Sequence, residues 1–379
     1  MSGIAPDTYP STHRETQDPF CESYTISRIY KIPVIHLSSG TTDSQLAKQL
    51  VDAASSYGFA YIRNFQEFIP AEAIENLFNL VLYSSKSSKF FAAPMEEKNL
   101  CRIQENIQKA KEYEPIAPIY VYLHHYQTGD FKEAMNIGHF NEGKPQQPLP
   151  NSFLGYERDI DQFQLYCQKL TLKLLTLFAQ GLNIDEEAGG SDWFASRHRE
   201  TSPRDSILRL LHYPPITPGS DYQPNVDFRA GAHTDYGSIT LLFQKPGQPG
   251  LEILLPSHQD SNKELESSWD SLPVYPSGTE SDPCPPILMN IGDLLSFWTN
   301  GVLKSTVHRV IVPQFDKENA QTRYSMAYFA HPIGSTYLEP VPSQIVRAHK
   351  VNSSESNGKP ITANEHLKIR LRATYSEMD

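Results

Sequence analysis

Cysteine is scarce: there are four in 379 residues, Cys21, Cys101, Cys167 and Cys284, and none forms a C-x-x-C pair. That is too few, too far apart, for a disulfide framework. Long apolar runs are absent as well. No stretch reaches the roughly 18 residues a membrane-spanning helix needs, and the polar stretch Met1–Pro19 holds no apolar signal core. Positive charge is in short supply, with 33 Lys and Arg against 44 Asp and Glu and a net charge of −11. A surface for nucleic acid or anionic membrane takes most of its affinity from basic patches, so neither partner is expected. Together these absences predict a cytoplasmic chain, monomeric by default. Aromatic residues, by contrast, are plentiful. The 18 Phe and 20 Tyr supply ample apolar surface to bury, which excludes disorder over the whole length.

The texture changes along the chain. Residues 1–31 are polar, carry Pro6, Pro10 and Pro19, and read as a flexible arm. Residues 32–200 read as a mainly helical region: a short strand at Ile32–Leu37, a helix capped by Asp43 that runs to Tyr57 and ends at Gly58, a strand at Phe59–Ile62, a helix opening at Pro70, and a long amphipathic helix over Ile160–Leu182. From 201 to 335 short β-prone runs alternate with Gly and Pro clusters, at Ile207–Tyr213, Ile239–Gln244, Leu251–Leu255, Pro286–Ile291, Leu294–Trp298, Thr306–Val312 and Arg323–His331. Two polar stretches, Pro256–Ser268 and Tyr275–Pro285, read as mobile insertions, and His349–Lys359 as a loop before a closing helix at Thr362–Thr374 within a C-terminal region, 336–379. The fold class expected is α+β with a β-rich core, an antiparallel barrel or jelly roll flanked by helices.

The chemistry centres on Gly231-Ala232-His233-Thr234-Asp235-Tyr236-Gly237. On an extended segment His233 and Asp235 point to one face, where an imidazole and a carboxylate can occupy neighbouring positions of an octahedral metal. A second histidine would complete the two-His-one-carboxylate set of non-haem Fe(II) oxygenases, and His308, in Ser305-Thr306-Val307-His308-Arg309-Val310, is the candidate. His258-Gln259-Asp260 competes, but lies in a polar insertion with no strand to fix its ligands. Fifteen residues past His308, Arg323-Tyr324-Ser325 puts a guanidinium and a hydroxyl on one strand face, an anchor for a carboxylate. Arg204-Asp205-Ser206 repeats that pattern, but upstream of the metal pair.

The order His-x-Asp, His, Arg-x-Ser resembles that of the iron(II)/2-oxoglutarate-dependent dioxygenases of the isopenicillin N synthase-like superfamily. The resemblance extends from Ile32 to about Pro332, through Ile32-Pro33-Val34-Ile35, Tyr57-Gly58-Phe59, Pro94-Met95-Glu96-Glu97-Lys98, Asp130-Phe131-Lys132-Glu133, His212-Tyr213-Pro214-Pro215 and Asn290-Ile291-Gly292-Asp293. It implies a double-stranded β-helix core with Fe(II) on His233, Asp235 and His308. It also implies 2-oxoglutarate as cosubstrate, chelating the iron through its keto oxygen and C1 carboxylate and meeting Arg323 and Ser325 with its far carboxylate, with Tyr213 helping to hold it. O2 would oxidise 2-oxoglutarate to succinate and CO2 while the substrate loses a hydrogen atom, with no protein acid or base required. Two departures stand out: Leu211 occupies the place where many plant relatives carry Asn, and 73 residues separate Asp235 from His308.

The substrate expected is a small organic molecule, oxidised by hydroxylation, desaturation or ring rearrangement; the texture resembles fungal members acting in secondary metabolism. Aromatic candidates for the pocket are Tyr120, Tyr122, Phe131, Phe243, Trp298 and Phe329. Two alternatives remain open at this point: an iron oxidase of the isopenicillin N synthase type that does not use 2-oxoglutarate, and a non-catalytic barrel that binds a ligand.

Overall fold

Helix starts and strand parity set the architecture. The computed structural model describes residues 31–37, 40–83, 91, 131–145, 147–199, 205–216, 228–256, 267–313, 321–349 and 360–375. Their order is β1 (Val34–His36), α1 (Asp43–Ser56), β2 (Phe59–Arg63), α2 (Ala71–Tyr83), β3 (Glu133–Ile137), β4 (Phe140–Asn141), β5 (Lys144–Pro145), α3 (Glu157–Gly181), α4 (Trp193–Ser196), β6 (Ile207–Tyr213), β7 (Ala230–His233), β8 (Ile239–Gln244), β9 (Leu251–Pro256), β10 (Ser267–Ser271), β11 (Ile287–Ile291), α5 (Asp293–Trp298), β12 (His308–Val310), β13 (Arg323–Ala330), α6 (Gln344–Ala348) and α7 (Ala363–Tyr375). The arm expected over 1–31 lies, but for Lys31, outside the described residues, as do Tyr120 and Tyr122.

A seven-stranded sheet, ordered β1-β2-β11-β8-β13-β6-β3, and a four-stranded sheet, β10-β9-β12-β7, form the jelly-roll core. Every pairing in both sheets is antiparallel except β1 with β2. Strand parity sorts the large sheet into two faces. On β8, Ile239, Leu241 and Phe243 join the core, where Phe243 meets Phe163 of α3 with ring centroids 5.2 Å apart. Thr240 and Leu242, at the alternate positions, line a pocket on the other face. The helix α3 supplies the cover, burying Ile160, Phe163, Cys167, Leu170, Leu174, Leu177 and Phe178, each such large apolar side chain contributing roughly 1.5–3 kcal/mol.

Three local expectations need correction. Thr42, not Asp43, caps α1: its hydroxyl accepts from the Gln45 N–H while the Gln45 side chain accepts from the Thr42 N–H, a capping box. The apolar run Leu294–Trp298 forms helix α5 rather than a strand. Its buried residues fall at Leu294, Leu295 and Trp298 with Phe297 outward, the spacing of a helix, and Asp293 places negative charge at its amino end. Tyr275–Pro285 is tied down, because Asp282 pairs with Arg63 of β2 and Thr279 closes a turn on Pro276 at 2.8 Å. In the other stretch, Ser267 and Ser268 open β10 and pair with β9.

Gly58 joins the helical layer to the barrel. It has φ +71, and a Cβ there would lie 2.4 Å from the Lys304 carbonyl oxygen and from Thr306 Oγ1. Gly58→Ala therefore suffers both a left-handed backbone and a collision with the segment leading to β12. A loss of at least about 1 kcal/mol is expected in urea unfolding at unchanged m; unaltered stability would contradict this packing.

Candidate functional site

The pocket lies between the two sheets. Its walls include Phe59, Leu211, Tyr213, Leu242, Ala327 and Phe329, together with the polar and charged Lys132, Arg209, His233, Asp235, His308, Arg323 and Ser325. It is a small, partly open cavity of about 60 Å³.

His233 and His308 are direct cross-strand partners where β7 meets β12, so their rings stand side by side with centroids 4.3 Å apart. The second histidine thus comes from a neighbouring strand of the same sheet. Asp235 follows the end of β7 and turns toward the large sheet, so the arrangement is a strand end and a turn rather than alternation along one strand. One ligand atom from each of the three residues falls within 4.8 Å of the others, the one such metal-suited group among the described residues.

The surroundings aim the ligand atoms. His233 Nδ1 lies 2.7 Å from the Gly231 carbonyl and His308 Nδ1 3.2 Å from that of Thr306. An imidazole donating from Nδ1 keeps Nε2 as the bare donor toward a metal. Phe59 braces His308 edge-on at 5.6 Å. Thr240 and Asn290, paired across β8 and β11, both donate to Asp235 Oδ2, at 2.6 and 2.7 Å. Oδ1 remains on the side of His308, 3.8 Å from its Nε2.

Protonation favours the ligand forms. His233 is exposed at the cavity mouth, yet the dense packing around its ring, then the adjacent His308 imidazole, pushes it down to about 4. Burial works to raise the Asp235 pKa, yet the His308 and His233 imidazoles and the Thr240 and Asn290 hydrogen bonds together hold it below its ordinary value. A neutral His233 imidazole and an ionised carboxylate are what a divalent cation requires. Two nitrogens and one oxygen gathered on one side, with the cavity opposite, suit an octahedral metal with open positions.

Asp293 ties the ligand segments together. Its Oδ2 accepts from the Thr234 hydroxyl at 3.0 Å, between the two candidate ligands of the His-x-Asp turn, and its Oδ1 accepts from Ser305 at 2.7 Å, ahead of His308. Its own N–H donates to the Asp235 carbonyl at 2.7 Å, and Arg370 of α7 pairs with it at 2.8 Å. Asp293→Ala is expected to weaken metal binding roughly 10–100-fold, read by anaerobic titration of the metal; unchanged affinity would make this cross-link purely structural.

Arg323 is 1% exposed. Its NH1 donates to Ser325 Oγ at 3.2 Å, its Nε to the Gln248 carbonyl at 3.2 Å, and its guanidinium lies 4.9 Å from the centre of the Tyr213 ring. Burial draws its pKa down, with Tyr213 opposing. Among the described residues no carboxylate pairs with it, and a buried guanidinium without an anion is costly.

The structure thus brings His233, Asp235, His308, Arg323, Ser325, Tyr213 and Phe329 to one cavity. Phe243 is corrected, since strand parity turns it toward α3. Trp298 is corrected too, since it packs on Trp193 and donates to the Glu339 carbonyl at 2.8 Å. Phe131 packs with Ile216 and Val312 away from the lining. Sequence reading assigned no role to Thr240, Asn290, Asp293 or Arg209. The available signal for the first two was a polar residue inside an otherwise apolar strand.

Family models match two stretches: residues 204–332 fit the 2OG-Fe(II) oxygenase superfamily, and residues 32–156 fit the non-haem dioxygenase in morphine synthesis N-terminal domain. The chain is similar to UPF0676 protein C1494.01 of Schizosaccharomyces pombe, 34% identical over 349 residues and covering 91% of this chain and 93% of that one. It is similar to the 2-oxoglutarate-Fe(II) type oxidoreductase ppzD of Metarhizium rileyi, 30% identical over 86% of this chain and 85% of the relative. Among solved structures, a full-length Neurospora crassa protein in complex with alpha-KG and thymine superposes with a TM-score of 0.68 at 28% identity, over 91% of this chain and 97% of that one.

Proposed function

The chain belongs to the 2OG-Fe(II) oxygenase superfamily, and from that membership we propose that His233, Asp235 and His308 hold the iron while Arg323, Ser325 and Tyr213 moor 2-oxoglutarate. It is a 2-oxoglutarate-dependent oxygenase, with Fe(II) as cofactor and 2-oxoglutarate as cosubstrate. When bound, the iron supplies the activation of O2, coupled to oxidation of 2-oxoglutarate to succinate and CO2.

The residues of the chain do the positioning. His233 and His308 offer bare Nε2 atoms because backbone carbonyls take up their Nδ1 protons. Asp235 presents Oδ1 because Thr240 and Asn290 occupy Oδ2. Arg323 offers a buried cation for the far carboxylate, with the Ser325 hydroxyl 3.2 Å from it as a second donor. Leu211 brings no donor to the wall between Tyr213 and Arg209, so the other end of the cosubstrate depends on the metal and solvent. The apolar walls exclude water around the reacting atoms. No side chain is assigned as acid or base.

The substrate is a small organic molecule, hydroxylated, desaturated or rearranged. Fungal relatives, and a neighbour that holds thymine, support a small-molecule role of the secondary-metabolic kind. The observation that carries the assignment is the convergence of two imidazoles and one carboxylate within 4.8 Å, opposite an Arg-x-Ser anchor in the same cavity. The test is succinate formation by the Fe(II) protein with O2 and a substrate library. Succinate release that requires both Fe(II) and 2-oxoglutarate is expected, whereas O2 uptake indifferent to 2-oxoglutarate would favour the oxidase alternative.

A further inference from the structure

Arg209 has no part in the machinery assigned above. It lies on β6 at the same parity as Leu211 and Tyr213 and lines the cavity with them. Its Nε donates to Asn136 Oδ1 at 2.7 Å, and its guanidinium sits 4.8 Å from the centre of the Phe329 ring. These two contacts fix the plane of the guanidinium while leaving its terminal nitrogens uncommitted among the described residues, where no carboxylate pairs with it.

Register separates this cation from the cosubstrate anchor. Arg323 stands opposite Tyr213 and Ala327 opposite Arg209, so the two rungs are four residues, about 13 Å, apart along the sheet. A five-carbon dicarboxylate, terminal oxygens included, spans at most about 8.5 Å, four bonds of about 1.5 Å and two of about 1.25 Å. Cosubstrate moored on Arg323 therefore ends near the metal and leaves the Arg209 end of the cavity for another molecule. Charge balance points the same way. The two charges of the iron, the Asp235 carboxylate, the doubly negative cosubstrate and Arg323 cancel, so the half-buried Arg209 and Lys132 stand as further cations in a cavity whose walls mix apolar and polar side chains. A planar guanidinium fits a carboxylate through two parallel N–H donors.

We propose that Arg209 receives a carboxylate of the substrate, so that this oxygenase acts on small organic acids in preference to neutral molecules. This rests on the reading of the cavity as the oxygenase site. Arg209 is then the specificity determinant, with Leu242, Ala327 and Phe329 offering apolar surface to the body of the acid.

The test uses benzoate, phenylacetate, cinnamate and octanoate, each beside its primary amide, added anaerobically to the full chain loaded with Fe(II) and 2-oxoglutarate and followed by calorimetry. Cosubstrate affinity is measured separately, so a chain that fails to bind 2-oxoglutarate refutes the oxygenase assignment itself rather than this inference. At least one acid is expected to bind roughly tenfold or more tighter than its amide. Arg209→Gln should bring that ratio near one while leaving 2-oxoglutarate affinity as in the parent. Should Arg209→Gln fail to fold, Arg209→Lys serves, and a reduced but surviving preference for acids is expected, because charge remains without paired geometry. Amides binding as well as acids, no acid-selective ligand in the set, or a variant whose main defect is in 2-oxoglutarate binding would overturn the proposal.

Discussion

His308→Ala is expected to lower Fe(II) affinity by at least about 100-fold and to bring 2-oxoglutarate-dependent O2 consumption down to background. Loss of a residue that merely orients a ligand typically costs 10–100-fold, and His308 is assigned as a ligand itself. It stands directly across from His233 and within 3.8 Å of Asp235, so its removal leaves two donors where three converged. The fold should survive, since the side chain faces the cavity rather than the core cluster. Anaerobic Fe(II) titration alongside thermal unfolding separates the two effects. Wild-type metal affinity in the folded variant would remove His308 from the ligand set.

Arg323→Lys should weaken 2-oxoglutarate at least about tenfold even though the charge is kept, because a loss of about 1.4 kcal/mol is a factor of ten and charge-assisted hydrogen bonds contribute about 1.5–3 kcal/mol each. The guanidinium is held by Ser325, the Gln248 carbonyl and the Tyr213 ring, contacts that depend on its planar fork. An ammonium cannot bond Gln248, reach Ser325 and still present two parallel donors. Fe(II) affinity without cosubstrate should stay unchanged, since Arg323 belongs to the large sheet and the two histidines to the small one. An unaltered apparent affinity for 2-oxoglutarate would place the carboxylate elsewhere.

The strands of the core were legible because Gly and Pro punctuate them and their apolar runs are short. Ile207–Tyr213 and Ile239–Gln244 agree residue for residue with β6 and β8. Leu294–Trp298 misleads because five residues, mostly apolar, are too few to show a period in the sequence; the helix is marked by the burial of Leu294, Leu295 and Trp298 and by the contact of Asp293 and Leu294 with the Asp235–Gly237 turn. The metal candidates and the Arg-x-Ser anchor stood out through their order along the chain, a property a linear reading can see. The supporting residues did not, since Thr240 and Asn290 reach Asp235 through a cross-strand pairing between segments 50 residues apart. Phe243 and Trp298 were misplaced for a related reason: aromatic identity says nothing about which face of a strand or helix it occupies.

X-ray absorption at the iron edge, on anaerobic Fe(II)-loaded protein and its His308→Ala variant, tests the central assignment most directly. Scattering from two imidazoles with oxygen neighbours is expected for the parent chain, falling to one imidazole in any iron the variant retains. An identical iron spectrum in both proteins, or a parent spectrum with no imidazole scattering, would contradict it.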